Sequence, residues 1–178
     1  MIGLKQGIVK LFPYSKDWAI EFEREKKRLH ILNGNFISIE HIGSTSIPGI
    51  KAKPVIDVVI GVKSVKREGR KCVKILNKNP GYYERPKYFP KTRFLVAKGN
   101  EDRRTHYIHI VRYKGGIWNR SILFRDYLKR HKDVLKQYEQ LKLALAVQYG
   151  GNRTIYTKKK SKFINALLRR LKIKYKRS

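Results

Sequence analysis

Glu40-His41-Ile42-Gly43-Ser44-Thr45-Ser46-Ile47-Pro48-Gly49, closely followed by Lys53-Pro54-Val55-Ile56-Asp57-Val58-Val59-Ile60, reads as a strand, a sharp turn and a second strand. Side chains of Phe36 to His41 alternate between two faces, as a strand requires. Pro54 is tolerable only where a strand begins, which predicts a buried strand from Pro54 to Val62. Within that apolar run Asp57 is expensive to bury unless a cation or strong donors meet it. Gly43 lets the backbone approach a ligand closely, and the N–H groups of such a turn suit a phosphate. The stretch therefore predicts half of a phosphate-and-cation site.

Outward from it, Trp18, Phe22, Leu29 and Leu32 fall at helical spacing between Ser15 and Asn33-Gly34. Ser15 suits the cap, Asp17 and Glu21 suit the positive helix start, and Asn-Gly ends the helix. Val65 to Leu76 predicts a helix whose inner face is Val65, Cys72, Val73 and Leu76, weakened by Gly69. Asn79-Pro80-Gly81 is a turn, followed by short strands near 82–84, 92–97 and 104–112. After Lys114-Gly115-Gly116 the chain reads as helical. Ile122, Leu123 and Tyr127 open one helix, and Val134, Leu135, Tyr138, Leu141, Leu145 and Val147 continue an apolar face. Phe163, Ile164, Leu167, Leu168 and Leu171 give the apolar stripe of a basic amphipathic C-terminal helix and tail over 158–178. With no repeat and no linker, residues 1–178 read as a single α+β domain with a helical C-terminal part.

Lys and Arg number 43 against 13 Asp and Glu, a formal charge of +30. Ion-pair networks of the thermophile kind would raise Glu together with Lys, so they explain little of this. Ten basic side chains and no acid lie in residues 158–178, so about +20 is spread over the rest. Such a surface attracts RNA or another polyanion in a salt-dependent way; a simply basic, soluble surface is the alternative. No apolar run approaches the ~18 residues of a membrane span, and the first residues lack the pattern of a signal peptide. Cys72 is the single cysteine, which agrees with a cytoplasmic location. Walker-type, dinucleotide-binding, CxxC and HExxH patterns are all missing from the sequence.

The segments 40–49 and 53–57, together with the Trp18/Phe22 helix, Thr105-His106-Tyr107-Ile108-His109-Ile110-Val111 and Leu123-Phe124-Arg125-Asp126-Tyr127-Leu128, resemble the GrpB-like family in the same order over most of residues 14–165. That family looks like a branch of the nucleotidyltransferase fold. The resemblance implies a nucleotidyltransferase-like mixed β-sheet flanked by helices, in which a Gly-Ser turn precedes a metal-binding acid on the next strand.

On this resemblance Gly43, Ser44 and Thr45 would hold the phosphates of a nucleoside triphosphate, and Asp57 would hold a divalent cation, Mg²⁺ or Mn²⁺. The position where the fold carries a second acid, two residues on and on the same strand face, is Val59. His109, sharing a face with Tyr107, is a replacement ligand or a group acting on the acceptor, and His41 is a further candidate. His106 projects to the other face, and Glu40 faces away from His41. Lys53 and Arg93 would neutralise phosphate charge; Arg125 either does so or pairs with Asp126 or Glu40. The expected activity is transfer of a nucleotidyl group to a hydroxyl acceptor such as RNA. A non-catalytic, chaperone-like binding module on the same scaffold is the alternative that Val59 supports, and hydrolysis at the same site is a third.

Overall fold

The computed structural model describes residues 2–85, 92–100 and 102–176. Five strands, β1 (Ser38–Ile42), β2 (Ile56–Val62), β3 (Tyr82–Glu84), β4 (Arg93–Gly99) and β5 (Arg104–Arg112), form one sheet in the order β1-β2-β5-β4-β3. The β2–β5 pair is parallel and the others are antiparallel. The result is a mixed sheet in an α+β fold, flanked by helices and followed by a helical C-terminal part.

Register sets what each face carries. Ile42 pairs with Asp57, Asp57 with Tyr107, and Val59 with both Glu40 and His109, so these side chains share one face. Val58, Ile60, Val62, Ile108 and Ile110 face the other way and are fully buried. Helices α1 (Asp17–Leu29) and α2 (Arg70–Asn77) cover that second face through Trp18, Phe22, Leu29, Cys72 and Leu76. Fully burying each such side chain is worth about 1.5–3 kcal/mol, which makes this the main core.

The predicted helix over 65–76 forms in two pieces. Val65–Gly69 winds as one wide π turn before α2 begins. Its start is fixed by a reciprocal pair: Arg67 N–H donates to Ser64 Oγ at 3.3 Å, and Ser64 N–H donates to Glu68 Oε2 at 2.8 Å. Gly69 sits against Phe94 and Ile110; the residue that weakened the helix on propensity is the one that lets it approach the sheet. At the start of α1, Ser15 Oγ accepts from Asp17 N–H at 3.2 Å.

The first face is covered by α3 (Gly116–Arg130), α4 (Lys132–Tyr149) and α5 (Arg153–Lys176). Trp118 of α3 and Tyr113 lie against Gly61, where a Cβ would come within 2.9 and 2.7 Å of their rings. The C-terminal helix starts at Arg153, earlier than its basic run suggests, because Asn152 Oδ1 caps it by accepting from Ile155 N–H. Leu168 and Leu171 bury against Ile47, Ile50 and Tyr138, so the stripe of α5 packs on the domain. Lys158, Lys159, Lys162, Arg169 and Arg170 are exposed. Residues 177 and 178 of the expected tail lie outside the described residues.

Candidate functional site: a cationic cleft beside the Gly43 turn

Between the first face of the sheet and helices α4 and α5 lies a cleft of about 450 Å³. Gly43, Ser44, Thr45, Lys53, Asp57, Arg93 and His109 all line it, whereas His41 and Arg125 do not.

Gly43 holds the turn against the acid. Its φ of 72° and ψ of −174° lie where essentially only glycine is found, and a Cβ would come within 2.5 Å of Asp57 Oδ2. Residues 44–46 then make a single 3-10 turn, closed by Ser46 Oγ donating to the Gly43 carbonyl at 2.6 Å. Gly43→Ala is expected to cost about 1–3 kcal/mol for the backbone alone, with the push on Asp57 added. A urea midpoint equal to wild type would refute the close approach.

The three turn residues do not present themselves alike. Ser44 Oγ lies in the cleft 3.5 Å from Tyr138 Oη. Thr45 is 2% exposed, and its hydroxyl is held from behind by His41 Nε2 at 3.0 Å. His41 does not join the cleft: its ring stacks on Phe22 at 4.7 Å on the α1 side of the sheet. Burial pushes it down to about 4, with Asp57 opposing and Lys129 assisting, so it is neutral at pH 7. The structure places it as a positioning residue for Thr45. His106 is likewise on the α1 side and held at about 4 by burial.

Asp57 Oδ1 lies 3.6 Å from His109 Nε2, with 35% of the acid's side chain exposed to the cleft. Burial raises its pKa, but His109 beside it and the charges of Lys160 and Lys53 outweigh that and hold it below the usual range. The position of the second acid is closed. Val59 is fully buried in an apolar cluster with Ile42, Val111 and Trp118. Glu40 is taken by Arg125 Nη1 at 2.7 Å, and the same guanidinium binds Asp126 at 2.7 Å and the His41 carbonyl at 2.8 Å. Arg125 thus ties α3 to β1 outside the cleft.

Sequence reading missed the cations supplied by the C-terminal helices. Lys142 and Lys160 enter the cleft from α4 and α5, with Arg120 from α3 and Arg153 from the start of α5. Lys53 lies 5.5 Å and Lys160 5.7 Å from the ring of Tyr156. Lys142, 1% exposed, lies 5.1 Å from the ring of Tyr138 and donates to the Lys51 carbonyl. Arg153 lies over the ring of Tyr107 and donates to its hydroxyl at 2.7 Å. The signal was present: Lys142 and Lys160 each stand four residues after a buried tyrosine, interrupting an apolar stripe.

Burial pushes Lys53 down to about 7, aided by Lys160 and Arg153 and opposed by Asp57. Burial does the same to Lys142, also about 7, with Lys160 adding to it. Lys160 itself is held above its ordinary value, first by Tyr138, then by Tyr156 and Asp57 against the cost of burial. Burial alone lowers Arg93.

The donor set is a poor match for a resident divalent cation. Mg²⁺ keeps several waters and is held through one or two carboxylates together with substrate phosphates; among the described residues the cleft offers the one carboxylate of Asp57, already beside His109. Among the described residues no three His, Cys, Asp or Glu side chains are grouped so as to hold a metal ion. Six Lys and Arg side chains line the same cleft. The arrangement suits an anion with several charges.

Comparison with known proteins places the chain. It matches the GrpB protein family over residues 8–170. It is 37% identical over 172 residues to the glutamate-rich protein GrpB of Alkalihalophilus pseudofirmus, covering 94% of this chain and 98% of that protein. It is 36% identical over 171 residues to the UPF0157 protein YqkA of Bacillus subtilis, covering 91% of this chain and 49% of that longer protein. The crystal structure of conserved protein GrpB from Enterococcus faecalis matches with a TM-score of 0.75 at 27% identity, over 89% of this chain and 99% of that one. One of these relatives is called glutamate-rich, whereas here basic residues outnumber acidic ones 43 to 13. By sequence and by fold, the chain belongs to the GrpB family.

Proposed function

We propose that this protein is a nucleotidyltransferase-like binder of nucleoside triphosphates, with the polyphosphate seated in the cationic cleft beside the Gly43 turn. One observation carries the reading: among the described residues, six cationic side chains and a single carboxylate face the same 450 Å³ space. Ordinary surface charge would be solvated and scattered, and surface pairs contribute little. Here Lys142 is 1% exposed, with the neutral Lys51 carbonyl as its acceptor, and several of the cations rest on tyrosine rings, so an anion in the cleft would be their counter-charge. Beyond the Tyr107–Arg153 contact a second cavity of about 460 Å³, with Leu95 and Thr154 in its wall, offers room for the nucleoside.

The test is calorimetric titration with ATP and with inorganic tripolyphosphate at fixed ionic strength. Lys160→Met is expected to weaken both by about 10-fold or more, the loss of one charge-assisted contact. Lys159→Met, on the exposed side of α5, is expected to leave both unchanged. Equal effects of the two variants would reduce the binding to non-specific attraction by a +30 surface.

A second reading is favoured by the Asp57–His109 pair, which gives the cleft a group able to accept a proton. An acceptor hydroxyl, for which an RNA end would suit the net charge, would lose its proton there and attack the α-phosphorus. The bridging P–O bond would break and pyrophosphate would leave. The apolar burial of Val59 weighs toward binding without transfer.

A further inference from the structure

We propose that lysine ammonium groups take the place of the divalent cation in this cleft, so that its ligand is the uncomplexed polyphosphate rather than its magnesium complex. This rests on the polyphosphate reading above and specifies the chemical form of the ligand.

The charges come from separate elements and converge. Lys53 sits just before β2, Lys142 on α4, and Arg153 and Lys160 about two turns apart on α5. Each is held against an aromatic surface: Tyr156 for Lys53 and Lys160, Tyr138 for Lys142, Tyr107 for Arg153. A metal ion in a phosphoryl-binding site bridges phosphate oxygens and neutralises their charge. Fixed ammonium and guanidinium groups do both here without coordination demands. The opposing conditions for a metal are absent from the donor set. Among the described residues Asp57 is the one carboxylate in the cleft, and it faces His109. The strand position that would add a second carboxylate is packed under Trp118, and Glu40 is occupied by Arg125.

Two consequences separate this from the metal-dependent alternative. A magnesium-complexed triphosphate has lost two of its negative charges, so it forfeits attraction to the cluster while gaining only Asp57 and His109. Asp57 is itself a negative charge facing an anion, so removing it should help binding, whereas a metal ligand's removal should end it.

Equilibrium dialysis or calorimetry with inorganic tripolyphosphate, in EDTA and in saturating Mg²⁺ at matched ionic strength, decides the matter. Wild type is expected to bind in EDTA and to weaken about 10-fold or more in Mg²⁺. Asp57→Asn, checked for an unchanged melting transition, is expected to bind several-fold tighter in EDTA; Asp57→Ser serves if Asn perturbs the fold. Binding that requires Mg²⁺, or that Asp57→Asn abolishes, overturns the substitution of lysine for metal while leaving the polyphosphate reading intact. Absence of wild-type binding in both conditions overturns both.

Discussion

Truncating Glu25 to Ala should lower the melting temperature by roughly 6–20 °C, from a loss of about 3–5 kcal/mol and 2–4 °C per kcal/mol for a chain of this size. Glu25 is fully buried on the inner face of α1. It accepts from Tyr82 Oη at 2.6 Å and from Lys98 Nζ, and Arg28 Nη1 lies 3.4 Å away. Burial raises the carboxyl's pKa, but the hydrogen bonds from Lys98 and Tyr82 and the charges of His106 and Lys98 together hold it below the ordinary value. Removing the acid strands a Lys98 whose side chain is only 18% exposed, and leaves the Tyr82 hydroxyl without its acceptor. The two strands released, β3 and β4, form the far edge of the sheet. Replacing Lys98 by Met together with Glu25 by Leu should recover much of the loss, since an apolar pair of similar volume carries no desolvation cost. A single-variant shift within about 2 °C of wild type would show that the network is solvated in solution.

The second large effect is on ligand affinity. Lys53 and Lys142 are both held near 7 in the free protein by burial, so at pH 8 a large share of each is neutral. A bound polyphosphate favours the charged forms, and binding above pH 7 must take up protons. Affinity should fall about tenfold per pH unit for each fully coupled lysine, or 10²-fold or more between pH 7 and 9. Calorimetry in two buffers of different ionisation enthalpy reads the uptake directly. In the free protein the sign is opposite. The unfolded chain keeps both lysines protonated to about 10.5 and so binds more protons than the fold above pH 7; stability rises with pH across that window. Lys142→Met should remove part of the uptake. A pH-independent affinity between 7 and 9 would mean that both ammonium groups are already charged.

How much of this could be read from residues alone depends on range. Strand 104–112 was legible to the residue because it is rich in β-branched and aromatic residues and stops before Lys114-Gly115-Gly116. That His109 shares a face with Tyr107 and His106 takes the other followed from the two-residue period of a strand; that His109 meets Asp57 came from the β2–β5 register. The π turn at Val65–Gly69 was not legible, since helical periodicity over one turn does not distinguish α from π winding. The cleft's second wall was also hidden. Lys142 and Lys160 lie 85 and 103 positions beyond Asp57 in the chain, and only the packing of α4 and α5 shows that they meet it. Local patterning named the sheet side of the site; tertiary structure supplied its charge.

The clearance at the Gly43 turn constrains two positions unequally. With no space for a methyl group next to the Asp57 carboxylate, and a backbone conformation that only glycine adopts without strain, residue 43 is held twice over, and shrinking residue 57 lifts only one of the two restraints. Among descendants of this fold the acid should therefore be lost ahead of the bare backbone position, and not after it.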